Sequence, residues 1–289
     1  MHHVSLLTGN VPATIAFYRD QLGLRLVQNT VNQENHHMRH IFFGDDLGTP
    51  GTVITFFEVS NLGPRYDDGA FMHELHLAIP KTSADYWQHR LGSLHVKDPN
   101  DVAITLVPTN TLPKAAAVAS LVPAAAQIQG LLGSVLSVPD RAAALHFFAT
   151  MLHQPLYEPQ VLLDHGERLT LEAASAGKHR FGRGSIDHIA LTVPDQAALN
   201  GLQTLAQQAG FTVEKYADRG WFQSLYVLEP NGNRIEFATT TPGFALDGTV
   251  DQIGVGLGLP PFLEDQRQAL VQYWANQGVL FDEPAVTPH

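Results

Sequence analysis

HHVSLLTGNVPATIAFYRDQLGLRLV, residues 2–27, and IDHIALTVPDQAALNGLQTLAQQAGFTV, residues 186–213, carry the same pattern. Each opens on a short apolar strand, places a proline (Pro12, Pro194) near a helix start, and leaves an amphipathic helix through glycine. Two more copies are ELHLAIPKTSADYWQHRLGSLHV, residues 74–96, around Pro80, and LGSVLSVPDRAAALHFFATMLHQPLYEP, residues 132–159, around Pro139. Proline is tolerated in the first helical turn because its missing N–H would have no partner there. Asp140 and Asp195 then stand where acids favour a helix start.

Strand-forming runs follow each helix: RHIFFGDD and GTVITFFEV in copy one, VAITLV in copy two, RLTLEAA in copy three, and SLYVLEP with NRIEFATT in copy four. The unit is roughly βαβββ. Each copy alone leaves a small sheet uncovered, so copies must pair to close a core. The fold class is therefore α+β, four βαβββ modules forming two curved mixed-sheet cups. The expected divisions are 1–120 and 121–245, each with two modules, and a tail 246–289 whose closing helix begins after Pro260 and Pro261.

Composition narrows the function. With 28 acidic against 17 basic residues, a net charge of -11 repels phosphate backbones and anionic membranes, so no nucleic acid and no membrane partner is expected. The absence of cysteine excludes disulfide scaffolds, thiol nucleophiles and Cys-ligated metal. Residues 115–139 carry no charge and are long enough to span a bilayer, but are rich in Ala, Gly, Ser and Gln and read as a linker running into a buried strand. MHHVSLLTGNVP lacks the features of a secretory signal, which makes the cytoplasm the expected location.

Superposing the first strands aligns His3 with His188; copies two and three carry Glu74 and Ser134 there. On the last strand of copy four stands Glu236, with copy-one and copy-three counterparts expected near Phe56 and Thr170. Two imidazoles and one carboxylate on inward strand positions can bind one ion only if copies one and four lie side by side, with copies two and three forming the other pair. Such a set leaves coordination positions open, as in the facial triad of non-haem iron(II) oxygenases.

These features resemble the vicinal oxygen chelate (glyoxalase/bleomycin-resistance/extradiol dioxygenase) superfamily, and within it the hydroquinone-type ring-cleaving dioxygenases. The resemblance runs through residues 2–32, GTPGTVITFF, DRGWFQSLYVLEPNGNRIEFATTTPGFALD and LGLPPFLEDQR, nearly the whole length. It implies an Fe(II) site, with Mn(II) as substitute, held by His3, His188 and Glu236. It also implies that His2, Arg219 and Tyr226 act on substrate: Arg219 lowering a hydroxyl's pKa, His2 and Tyr226 moving protons. The implied partners are a small aromatic diol, of hydroquinone or catechol type, and O2, with a homo-oligomer left open. Asp187 departs from the family pattern, where a second His precedes the second ligand. A carboxylate there orients the neighbouring imidazole or takes a substrate proton.

Two other readings remain. A zinc- or nickel-dependent isomerase or lyase of glyoxalase type needs a fourth protein ligand, for which Glu58, two residues beyond Phe56, is the candidate. A sequestering protein for flat aromatic compounds needs no triad. The cluster His36, His37 and His40 reads as a solvated loop, with His40 the one placed to reach a substrate. An Asp187–His188–Ser hydrolase triad lacks the strand-turn-helix nucleophile elbow. Phe56, Trp221 and Phe222 are candidates for an aromatic pocket.

Overall fold

The computed structural model describes residues 1–153, 159–247 and 252–281. Module one comprises β1 (His3–Thr8), α1 (Val11–Ile15, continued as a π-helical segment Ala16–Gln21), β2 (Arg25–Val31), β3 (Arg39–Gly44) and β4 (Val53–Glu58). Module two is β5 (Phe71–Pro80), α2 (Ala84–Leu91), β6 (His95–Lys97) and β7 (Ala103–Thr109). Module three is β8 (Gly130–Val138), α3 (Arg141–Leu152), β9 (Gln160–Leu162) and β10 (Arg168–Ala173). Module four is β11 (Ile186–Val193), α4 (Gln196–Gln208), β12 (Thr212–Asp218), β13 (Gln223–Leu228) and β14 (Arg234–Thr239). Modules two and three thus show two strands after the helix, among the described residues, rather than three. Each has only one long apolar run there, and its companion strand is three residues long.

The helix starts form as their sequences dictate. Asn10, Asp140 and Asp195 accept the N–H of the residue three further on, at 3.0, 2.9 and 2.8 Å, each cap being worth about 1 kcal/mol. Pro12 lies inside its first turn, whereas Pro139 and Pro194 stand just before the capping acid. The fully buried Trp87 on α2 donates its indole N–H to the Ala126 carbonyl at 2.8 Å, tying the uncharged linker to the core. That linker leads into β8, buried at every position, and no described helix is long and apolar enough to cross a membrane.

Two sheets result. One runs β12-β13-β14-β11-β1-β4-β3-β2, the other β6-β7-β5-β8-β10-β9. Modules one and four therefore share a sheet, as do two and three, the pairing that a shared ion demands. At the centre of the larger sheet β1 and β11 run antiparallel, with Val4 opposite Ile189, while β4 and β14 flank them in parallel. Alternation along β1 sends Val4 and Leu6 into the core with Tyr18, Phe43 and Phe56, and turns His3 and Ser5 to the other face. Burying each of these large apolar side chains contributes about 2–3 kcal/mol.

Register corrects one expectation. Glu236 lies opposite Ala190, two residues beyond His188, and the residue opposite Ser5, two beyond His3, is Thr55. The copy-one counterpart of Glu236 is thus Thr55 and not Phe56, and a slip of one residue exchanges sheet faces. Phe56 is core, 4.9 Å from the Tyr18 ring. Its face-mate Glu58 therefore does not share the face of Thr55.

The expected closing helix is present as α5 (Arg267–Asn276), preceded by a short 3-10 turn at Pro261–Gln266. Leu257, Leu259, Leu263, Leu270, Trp274 and Phe281 pack on Val31 of the edge strand β2. Residues 248–251 and 282–289 of the expected tail fall outside the described residues.

Candidate metal centre

β1, β11 and β14 bring His3, His188 and Glu236 together on one sheet face, all three buried. His3 Nε2 and His188 Nε2 are 3.2 Å apart, and Glu236 Oε2 lies 3.4 Å from the first and 2.9 Å from the second. Ligands in adjacent positions around one ion, each bonded at about 2.1 Å, stand about 3 Å apart. Glu236 Oε2 is buried without a hydrogen-bond partner among the described residues, a costly state that a cation relieves. The donor set therefore fits a metal ion. No other group of three potential ligands occurs among the described residues, so His36, His37 and His40 form no second site.

Each imidazole is turned by the atom behind it. His188 donates Nδ1–H to Asp187 Oδ2 at 2.7 Å, leaving Nε2 as a bare lone pair facing the site. Arg234 bonds both Asp187 oxygens at 2.9 Å and is itself held by Glu214 at 2.6 Å. The unexpected carboxylate thus orients its neighbour and has its charge compensated. Burial favours the protonated acid, but His188 and Arg234 outweigh it and hold the Asp187 pKa at about 2.

On the other side, His2 Nε2–H donates to the Thr239 carbonyl at 3.1 Å, which makes His2 Nδ1 the acceptor for His3 Nδ1–H at 2.8 Å. That assignment follows from the network, and it frees His3 Nε2 for the site. The expectation for His2 changes accordingly: both ring nitrogens are engaged, His2 does not line the pocket, and its geometry suits orienting His3 rather than moving substrate protons. Burial, reinforced by His3, lowers its pKa to about 3. The Met1 ammonium bonds Glu167 at 2.7 Å, away from the centre.

Burial disfavours the charged Glu236 carboxylate, yet the facing His3 and His188 hold its pKa well below the ordinary range. Burial lowers the His3 pKa; in His188, burial is outweighed by Glu236 and Asp187 and the pKa rises.

β13 carries Tyr226 opposite Glu236, across a hairpin closed at Gly232 with φ +101°, a value that favours glycine. The Tyr226 ring meets the His188 ring edge to face at 5.4 Å. Arg219 donates to the Tyr226 hydroxyl at 3.0 Å, and Arg219 and Lys215 each lie 5.3 Å from the Tyr226 ring centroid. Burial raises the phenol pKa, as does Glu236, so Tyr226 is a neutral donor at pH 7.

Several contributors were not read from the sequence. Ser224, two residues before Tyr226 and on the same strand face, donates to Glu236 Oε1 at 2.6 Å; alternation from Tyr226 would have found it. Gln33 and Glu34 hold the Arg219 guanidinium at 3.3 and 3.2 Å from the far side of the cup, a long-range contact with no local signal. The pocket in front of the ligands is walled by Phe42, Phe57, Trp221 and Phe222, with His40 and Ser5 at its module-one side. Trp221 and Phe222 were expected there; Phe56 is replaced by Phe57.

Residues 1–101 match the family model of the Glyoxalase/Bleomycin resistance protein/Dioxygenase superfamily, and the resemblance read from the sequence holds, together with its fold class. The chain is 29% identical over 303 residues to a Bacillus subtilis protein named as a ring-cleaving dioxygenase, MhqA, covering 92% of this chain and 95% of the relative. It is 24% identical to the chlorohydroquinone/hydroquinone 1,2-dioxygenase of Sphingobium indicum, covering 94% of each. A solved Bacillus subtilis structure carrying a dioxygenase name superposes with TM-score 0.86 at 25% identity, over 99% of this chain and 98% of that one. Glyoxalase I from Zea mays shares the fold, with TM-score 0.56 at 14% identity over 83% of this chain and 92% of that one.

Proposed function

We propose that the chain is an iron(II)-dependent ring-cleaving dioxygenase, of extradiol type, acting on a hydroquinone- or catechol-type aromatic diol. The observation that carries this reading is the buried convergence of two imidazole nitrogens and one unpartnered carboxylate oxygen, open to an aromatic-walled pocket. His3, His188 and Glu236 would hold the ion, with Mn(II) as a substitute. When bound, iron(II) supplies a Lewis acid for the substrate hydroxyl and the one-electron chemistry that O2 requires.

The remaining work falls to the chain. Phe42, Phe57, Trp221 and Phe222 sandwich a flat ring and exclude water. The Arg219 guanidinium stabilises negative charge on an ionised hydroxyl, and by donating to the Tyr226 oxygen it leaves the phenolic O–H to serve as the donor. Tyr226 is the proton donor and Arg219 the charge partner. His2 and Asp187 fix the tautomers of His3 and His188. The isomerase alternative loses its fourth ligand, because Glu58 lies on the other strand face, and the sequestration alternative leaves the triad unexplained. We read the protein as acting in the cytoplasm without nucleic acid or membrane partners. Residues 1–120 and 121–245 are proposed as the two halves, each contributing one module to each sheet.

The test is anaerobic loading with iron(II) followed by oxygen uptake on addition of hydroquinone, methylhydroquinone or catechol. Stoichiometric uptake with a ring-opened product, lost in Glu236→Ala, supports the reading. Tight zinc or nickel without oxygen uptake overturns it.

A further inference from the structure

The module-one wall of the cup carries a hydrogen-bonded set that the ligand cluster does not use. β3/β4 and β13/β14 pair in matching register about the central strands. His40 faces Phe57 as Ser224 faces Ala238, and Phe42 faces Thr55 as Tyr226 faces Glu236. In module four this lattice yields the Ser224–Glu236 hydrogen bond. In module one the same positions yield His40 Nε2 to Thr55 Oγ1 at 3.0 Å, and Thr55 Oγ1 continues to Ser5 Oγ at 2.7 Å.

His40 is buried, stacked on Phe57 with ring centroids 4.0 Å apart and 4.1 Å from Phe42. Its Nδ1 has no hydrogen bond among the described residues, and its side chain lines the pocket. An imidazole held through one nitrogen, with the other unmet at the wall of the pocket, offers a fixed hydrogen-bonding position to a polar group that enters. The two hydroxyls of Thr55 and Ser5 let the chain run in either direction, so Nδ1 can donate or accept. Phe57 sets the spacing: its centroid is 4.0 Å from that of His40 and 6.4 Å from that of His188. His40 and the ligand histidines therefore border one pocket, with Phe57 beside both.

We propose that His40 is a specificity-determining residue whose Nδ1 hydrogen-bonds the far hydroxyl of a para-dihydroxybenzene while the near hydroxyl lies at the His3, His188 and Glu236 face. Thr55 and Ser5 are its positioning residues. The inference rests on the ring-cleaving reading above and narrows it. A catechol, with adjacent oxygens, keeps both at the ligand wall and leaves His40 unmet.

The test is anaerobic titration of the iron(II)-loaded protein with hydroquinone, phenol and catechol, followed by calorimetry and by the fluorescence of Trp221 in the pocket wall. The wild type prefers hydroquinone to phenol by about five- to tenfold, the worth of one neutral hydrogen bond. His40→Leu abolishes that preference while phenol and catechol affinities stay within about twofold, and His40→Gln keeps part of it. Thr55→Val, which frees Nε2 without touching the aromatic stack, lowers the preference in the same direction. A wild type without preference, a His40→Leu protein that retains it, or equal weakening of all three ligands overturns the proposal. Absence of oxygen uptake with every diol, the binding preference intact, instead overturns the ring-cleaving reading and leaves His40 as a binding determinant.

Discussion

Replacing Asp187 tests whether the carboxylate behind His188 sets metal affinity. Asp187 Oδ2 takes the His188 Nδ1–H at 2.7 Å, and Arg234 keeps a second partner in Glu214 when Asp187 is removed. Arg234 also loses its two bonds to Asp187, a loss read in stability, while the loss felt at the metal side is the imidazole's. A hydrogen bond to a charged acceptor is worth about 1.5–3 kcal/mol, roughly 10- to 150-fold in an equilibrium constant. Orienting partners of metal-bound histidines generally contribute about 10- to 100-fold. Asp187→Ala is expected to weaken iron(II) binding across that range. Asp187→Asn, which keeps an acceptor but not the charge, is expected to cost about tenfold. Anaerobic competition against a chromophoric iron(II) chelator measures both, with thermal melting to confirm that each variant folds. An Asp187→Ala affinity within about twofold of wild type would refute the orienting role.

Phe56→Ala, in the core, is expected to cost about 3–5 kcal/mol in urea unfolding, while Phe57→Ala costs less stability and weakens diol binding; the reverse ranking in calorimetry and denaturation would show that the register is wrong. Tyr226→Phe should lower kcat about 100-fold at nearly constant KM, and an oxygen-electrode assay showing a changed KM alone would remove its proton-donor role. Burial raises the Glu58 pKa, and one of its oxygens is buried without a partner among the described residues. The native state then binds more protons than the unfolded state between the unfolded and folded pKa values, so this group's contribution to stability falls as pH rises through that window. Glu58→Gln should raise the melting temperature at pH 7 and flatten that segment of the pH profile; a lower melting temperature at pH 7 contradicts the assignment.

The repeat was legible because the copies carry local signals of their own: a proline near the helix start in all four, an acid at the helix start in copies three and four, and strand-forming runs. The pairing of module one with module four followed from chemistry, since His3 and His188 can share an ion only across a common sheet. Register between parallel neighbours was not legible. Nothing local distinguishes Thr55 from Phe56 as the partner of Ser5, and the β-rich run VITFFE tolerates either choice until packing selects Phe56 for the core. The surroundings of His2 were illegible for a related reason: proximity in sequence to a ligand says nothing of where its nitrogens point, which the Thr239 carbonyl decides from 237 residues away. The hold of Gln33 and Glu34 on Arg219 is equally non-local.

The position of β1 has a consequence for synthesis on the ribosome. β1 is made before both its neighbours: the parallel β4 follows at Val53–Glu58, but the other does not begin until Ile186. Throughout the production of modules two and three, one edge of β1 stays unpaired, a template for wrong partners. The same order guards the centre. The nascent chain displays His3 long before His188, and Glu236 comes last of the three, so a complete cage exists only once the sheet that shapes it can close.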